Sequence, residues 1–142
     1  MLKKLIFLLS LPSIVSLNDV KSFQYKSCSN SNDIAQNVIL SVEPELPQTD
    51  YTLFLNADLS QEIANGTSKY SITYNFIPLS PTENDLCTEI NSSNITCPVS
   101  EHIYSESKGV IPKDVSGTVI IKNEWFNLLK VRILCMQFTI KI

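Results

Sequence analysis

The sequence predicts an all-β protein, a sandwich of two antiparallel sheets built from about seven short strands. Three observations carry this. Apolar residues alternate with polar ones in five separate segments, the period of strands with one buried face. Clusters of turn-forming residues separate those segments at short intervals. No helical run of any length is found; Ala57 to Ala64 is the one candidate, and Asn65-Gly66 stops it.

The strands follow in order. Val38, Leu40 and Val42 alternate with Asn37, Ile39 and Ser41. Tyr51, Leu53, Leu55 and Ala57 alternate with Thr52, Phe54, Asn56 and Asp58. Tyr70, Ile72, Tyr74 and Phe76 alternate with Ser71, Thr73 and Asn75, the cleanest pattern in the chain. Val119 and Ile121 lead to Glu124-Trp125. Met136, Phe138, Ile140 and Ile142 alternate with Cys135, Gln137, Thr139 and Lys141. The breakers are Glu43-Pro44 to Pro47-Gln48, Asn65-Gly66, Pro78 to Pro81, Gly109 to Pro112, and Ser116-Gly117. There is no internal repeat or low-complexity tract.

Residues 87–98 indicate the compartment. They read Cys-Thr-Glu-Ile-Asn-Ser-Ser-Asn-Ile-Thr-Cys-Pro, with acceptor sequons at Asn91 and Asn94; a third starts at Asn65. Disulfides persist in oxidising surroundings, and N-glycans are added to exported chains. The segment reads as a stapled, solvent-facing loop. The N-terminus agrees. Lys3 and Lys4 precede an apolar run from Leu5 to Leu17, too short to span a bilayer comfortably and ordered like a signal peptide. Residues 1–22 are expected to be that leader, with cleavage near Ser16 to Ser22, and residues 23–142 the mature domain. Lys130, Arg132 and Lys141 argue against a hydrophobic anchor tail. The expected location is outside the cell or the lumen of a lysosome or endosome.

About 120 residues then remain, enough for one core. Removing the leader moves the net charge from −3 to −5. Such a chain is soluble and, lacking a basic cluster, does not suit nucleic acid. The four cysteines, Cys28, Cys87, Cys97 and Cys135, show no zinc-ligand spacing, and His102 is the only histidine. Three pairings can be drawn. Cys87–Cys97 is favoured by closeness along the chain, which leaves Cys28–Cys135. In the loop-entropy model the short bridge contributes roughly 3 kcal/mol and the long one roughly 4–5. Enzyme chemistry has little to work with. There is no Gly-x-Ser-x-Gly, nothing sets a nucleophile beside His102, and three glycines provide no phosphate loop. Neither a metal nor a cofactor is expected.

Several residues in order carry a resemblance. They are Tyr25 to Cys28, Val42 to Pro44, Asp85-Leu86-Cys87 with Cys97-Pro98-Val99, Ile111 to Lys113, Glu124-Trp125 and Cys135. From about Phe23 to Ile142 the chain resembles the ML lipid-recognition domain, the family of the secreted Niemann–Pick type C sterol carrier and of phosphatidylglycerol/phosphatidylinositol transfer proteins. The resemblance implies an immunoglobulin-like β-sandwich with a lipid cavity between its two antiparallel sheets. It also implies the pairing Cys28–Cys135 and Cys87–Cys97, and no catalytic residue. Sterol carriers usually have a further bridge in the loop after the first strand. Here that loop, Pro44 to Thr49, has no cysteine, which brings the chain nearer the phospholipid-transfer branch.

The implied function is binding and intermembrane transfer of phosphatidylglycerol and phosphatidylinositol by a secreted monomer in transient membrane contact. Sterol transport is the alternative, and a secreted protein-recognition module the weaker one. The cavity candidates are Leu40, Val42, Leu55, Tyr70, Ile72, Tyr74, Phe76, Tyr104, Ile111, Val119, Ile121, Met136 and Phe138. Leu53 and Ile140 are also expected to point inward, although periodicity fits a filled core as well as an open one. The entrance is expected around Ile103, Tyr104, Val110, Ile111 and Pro112. Lys108 and Lys113 are candidates for an anionic headgroup. Trp125 reads as a core or interface anchor.

Overall fold

The computed structural model describes residues 19–142. Of the expected leader, residues 1–18 lie outside them. The elements run β1 (Ser22–Ser27), β2 (Ala35–Glu43), β3 (Asp50–Leu59), β4 (Thr67–Tyr74), β5 (Ile77–Pro78), β6 (Thr82–Asp85), α1 (Leu86–Asn91), β7 (His102–Val110), β8 (Thr118–Phe126) and β9 (Arg132–Lys141). The large sheet has the order β1-β9-β8-β4-β5, with β6 also pairing to β4; the small sheet is β2-β3-β7. Every pair is antiparallel. The expected two-sheet sandwich is present, with the short β5 and β6 beyond the seven strands the sequence indicates.

Register explains the core. Ile72, Ile121 and Phe138 form one row across the large sheet, and Tyr70, Asn123 and Met136 form the next. These face Val42, Leu53, Leu55 and Ala57 of the small sheet, which belong to or pack on the same apolar cluster. A fully buried side chain of this kind contributes about 1.5–3 kcal/mol. Val20 is buried too. Its N–H donates to Gln48 Oε1 at 2.8 Å, and Gln48 Nε2 donates to its carbonyl at 3.1 Å.

Three sequence expectations need correction. The alternation through Phe76 ends at Tyr74, because Asn75 and Phe76 both have positive φ (47° and 66°) and form the turn between β4 and β5. Phe76 therefore stands out in solvent. Ala57 to Ala64 is not helical: β3 runs to Leu59, and Ile63 bridges to Val99. The stapled segment is not simply a loop, since α1 occupies its first half. Asp85 caps this helix, its Oδ2 accepting from Thr88 N (2.9 Å) and Thr88 Oγ1 (2.8 Å). Leu86 and Ile90, four residues apart, share one face and are buried.

Both expected disulfides form, Cys28–Cys135 and Cys87–Cys97. Near the first, Arg132 Nε donates to both carboxylate oxygens of buried Asp33 at 3.0 Å. Its other nitrogens reach Glu124 Oε2 and the Cys28 carbonyl, each at 3.2 Å. This group ties the β1–β2 connection to β8 and β9.

Candidate functional site: the slot between the sheets

A cavity of about 330 Å³ lies between the sheets. The large sheet supplies Tyr70 and Ile72 (β4), Ile121, Asn123 and Trp125 (β8), and Met136 and Phe138 (β9). The small sheet supplies Tyr51 and Leu53 (β3) and Ser105, Ser107 and Gly109 (β7). Glu89 and Ile90 of α1, with Ser92 and Ser93 after it, border the rim.

The slot has a local cause. Packed sandwiches interdigitate large side chains from both inner faces. The inward positions of β7 are Ile103, Ser105, Ser107 and Gly109, paired with Ala57, Leu55, Leu53 and Tyr51. Three successive small residues leave the space opposite Tyr70 and Ile72 unfilled. Gly109 also admits the Tyr51 ring, which a Cβ there would overlap. Tyr51 packs on Phe23 (centroids 5.2 Å apart), and Phe23 on Phe138 (6.3 Å), so aromatic rings close one end.

The buried polar groups of the wall are satisfied. Trp125 Nε1 donates to Asn123 Oδ1 at 3.0 Å; Asn123 Nδ2 donates to Ser68 Oγ at 2.8 Å and to the Lys69 carbonyl at 3.2 Å. Burial, and then the charge of nearby Glu89, raise the Tyr70 hydroxyl above the usual phenol range. Burial also raises Tyr51. Both stay neutral donors at ordinary pH.

Of the thirteen cavity candidates, Tyr70, Ile72, Ile121, Met136 and Phe138 line the slot. Val42, Leu55, Ile111 and Val119 are buried in the core without reaching it. Leu40 and Tyr74 are half-buried against that core, and the Tyr74 hydroxyl donates to the Ser116 carbonyl at 2.6 Å. Two candidates point away. Phe76 is in the turn described above. Tyr104 alternates with the inward residues of β7, so it faces outward, and its hydroxyl donates to Glu106 Oε1 at 3.0 Å.

The entrance expectation also shifts. Ile103 is buried, and Val110 is exposed. Lys108 borders the slot, but it pairs with outward-facing Thr52 and its Nζ donates to Thr52 Oγ1 at 2.8 Å. Its ammonium thus points to the outer face of the small sheet. Lys113 is exposed in the β7–β8 connection. Missed lining residues are Tyr51, Glu89, Ile90, Ser92, Ser93, Ser105, Ser107, Gly109 and Asn123. For Ser105, Ser107, Gly109 and Asn123 the available signal was a gap in apolar alternation along a strand. The sequon residues Asn65, Asn91 and Asn94 are all exposed, and the last two flank the rim serines. His102 Nδ1 lies 3.0 Å from Asp58 Oδ1 outside the slot. No metal-ligand cluster occurs among the described residues.

Two antiparallel sheets, with small residues along one inner strand leaving the space between them unfilled, define a β-sandwich with an apolar inter-sheet slot. The chain belongs to the ML-domain family, whose family model matches residues 22–142. A relative from Dictyostelium discoideum, named "Putative phosphatidylglycerol/phosphatidylinositol transfer protein 1", is 30% identical over 94 residues, 65% of this chain. The match spans 60% of that relative's length. Two solved structures share the fold. Chicken MD-1, crystallised with lipid IVa, superposes with a TM-score of 0.63 at 18% identity, covering 90% of this chain and 94% of MD-1. A Niemann-Pick type C2 protein from Japanese carpenter ant gives 0.58 at 16% identity, covering 82% and 96%.

Proposed function

We propose that this protein binds a lipid in the inter-sheet slot and transfers it between membranes, with phosphatidylinositol and phosphatidylglycerol as leading ligands. The single observation that carries this reading is the apolar slot left open by Ser105, Ser107 and Gly109. Removing a lipid tail from water is favourable by about 0.8 kcal/mol per methylene, and a dry slot supplies that environment. The name of the Dictyostelium relative and the lipid held by MD-1 support the ligand class. The slot is at the small end of ligand pockets, which run from roughly 300 to 1,000 Å³. It suits one tail or a fused ring system, so a two-chain lipid requires the sheets to separate further. Two disulfides and exposed sequons support an exported, glycosylated protein, secreted or in the lysosomal or endosomal lumen; the reading takes it as a monomer.

One observation favours sterol as the second reading. The Lys108 ammonium faces away, and the carboxylate at the rim is Glu89, beside Tyr70. A lone sterol hydroxyl needs only one such partner. Native mass spectrometry of the exported, de-glycosylated protein, with extraction of bound lipid and a vesicle exchange assay, tests both readings. One phospholipid per chain supports the first, and one sterol supports the second. A chain that carries nothing, takes up no offered lipid and speeds no exchange overturns both and leaves a protein-recognition module.

A further inference from the structure

We propose that the β4–β5 turn, with Phe76, Ile77 and Leu79, is a docking prong that inserts into a phospholipid bilayer surface and sets the slot against it; this rests on the lipid-transfer reading above.

Phe76 is the telling residue. Consecutive left-handed residues at a two-residue hairpin turn favour Asn-Gly, because glycine takes positive φ without strain. Here Asn75 (φ 47°) is followed by a phenylalanine at φ 66°, a costly conformation for a bulky side chain. Its ring is 78% exposed, so burial does not offset that cost. Ile77 and Leu79 are 65% and 50% exposed beside it. Neither backbone preference nor core packing explains three large apolar residues at this place.

The turn is held rigid in this presentation. Asn75 N–H donates to the Thr118 carbonyl, and Thr118 N–H donates to Asn75 Oδ1, both at 2.8 Å. Gly117, with φ 115°, leaves room for the Asn75 side chain, which a Cβ there would overlap. From Tyr70 to Thr82 no residue is charged. Several backbone groups are also paired or lack a donor. Leu79 N–H donates to the Ile72 carbonyl at 2.8 Å, Ile77 is paired with Tyr74, and Pro78 and Pro81 have no N–H. An apolar phase tolerates such a segment, because few unpaired polar groups accompany the side chains into it.

The same features select the occupant. Prolines on an edge oppose strand addition, so pairing with a second copy through this edge is disfavoured. The patch is a convex tip of three side chains, far below the roughly 800 Å² per partner of a stable protein interface. It also adjoins the strand that walls the slot: the Leu79 N–H donates to the carbonyl of Ile72, whose neighbouring turn carries the patch. A second exposed apolar tip, Leu128 and Leu129 between β8 and β9, lies at the opposite end of β4, where Phe126 pairs with Thr67.

The experiment compares wild type with Phe76→Gly, Phe76→Ser/Leu79→Ser and Leu128→Ser/Leu129→Ser. Co-flotation with vesicles of phosphatidylcholine and phosphatidylinositol reads docking. Uptake of a fluorescent short-chain phospholipid, offered as monomers, reads the slot. Phe76→Gly is expected to raise Tm by relieving the turn, yet to weaken flotation roughly tenfold, with monomer uptake unchanged. The double Phe76/Leu79 variant should weaken it further, and the Leu128/Leu129 variant should float like wild type. Unchanged flotation for both Phe76 variants overturns the proposal, as does a loss confined to the Leu128/Leu129 variant. A wild-type dimer in sedimentation that Phe76→Gly dissolves also overturns it, in favour of a second copy. Failure of monomer uptake in wild type would instead overturn the lipid-transfer reading, and flotation still reports on the prong.

Discussion

Ser105 and Ser107 matter through the volume they leave empty. Substituting leucine for Ser107 fills the slot from the small sheet. The added burial contributes about 1.5–3 kcal/mol and overpacking costs about 1–3, so stability should change little. Lipid uptake should fall at least roughly tenfold, because the tail loses its space. Thermal melting and a monomer-uptake titration of Ser107→Leu check the two halves separately; a marked loss of stability with normal uptake would contradict the account. This scale was also the least legible in the sequence. Tyr70, Ile72, Ile121, Met136 and Phe138 could be read because their strands alternate apolar and polar. β7 could not, since serine and glycine on its inner face erase the contrast that marks a buried side. That loss leaves the phase of the strand open, so periodicity does not reveal that Tyr104 faces out. Phe76 departs from the pattern for a different reason: period-two patterning does not show where a strand stops and a turn starts.

Helix α1 is the element that brings Glu89 and Ile90 to the rim. Its cap is sensitive to acid. Hydrogen bonds from Thr88, side chain first and then backbone, hold the Asp85 carboxyl below the usual carboxylate range in the folded protein. A depressed folded-state value means that the cap's contribution is complete above the unfolded-state value, about 3.9. It is lost as pH falls through the lower, folded-state value. Asp58 behaves alike, lowered first by Asn37 and then by His102. Acid unfolding followed by circular dichroism should therefore begin below about pH 4, and Asp85→Asn should flatten part of that dependence. A transition unaffected by Asp85→Asn would remove the cap from the explanation. The helix escaped sequence detection because six residues with two apolar positions give too little periodicity. The bridge that staples it was legible, since closeness along the chain favoured Cys87–Cys97.

At the scale of the whole molecule, the Cys28–Cys135 bridge joins positions 107 residues apart. Replacing both cysteines by serine should cost roughly 4–5 kcal/mol by the loop-entropy model, against roughly 3 for the shorter bridge. Denaturant unfolding of the two double variants measures the order; a larger loss from the Cys87/Cys97 variant would show that α1 carries more of the fold than the model assigns. The sandwich class and the Cys87–Cys97 bridge were legible because alternation and close cysteine spacing are local signals, whereas Cys28–Cys135 followed only as the pair that remained and as the family resemblance implied. The open slot was not, because an unfilled volume depends on which residues face each other across two sheets.

The two sheets are unequally joined. β2 lies against β1 and β9, and Tyr51 meets Phe23 on that side, whereas β7 faces the large sheet across the slot. The sandwich is thus a clamshell, closed along one seam and free along the other. Under the lipid-transfer proposal, a larger guest would pry the free seam apart while every strand pairing within each half stays intact. On that proposal the 330 Å³ between the halves is the resting gape of the shell, and the guest would set how wide it opens.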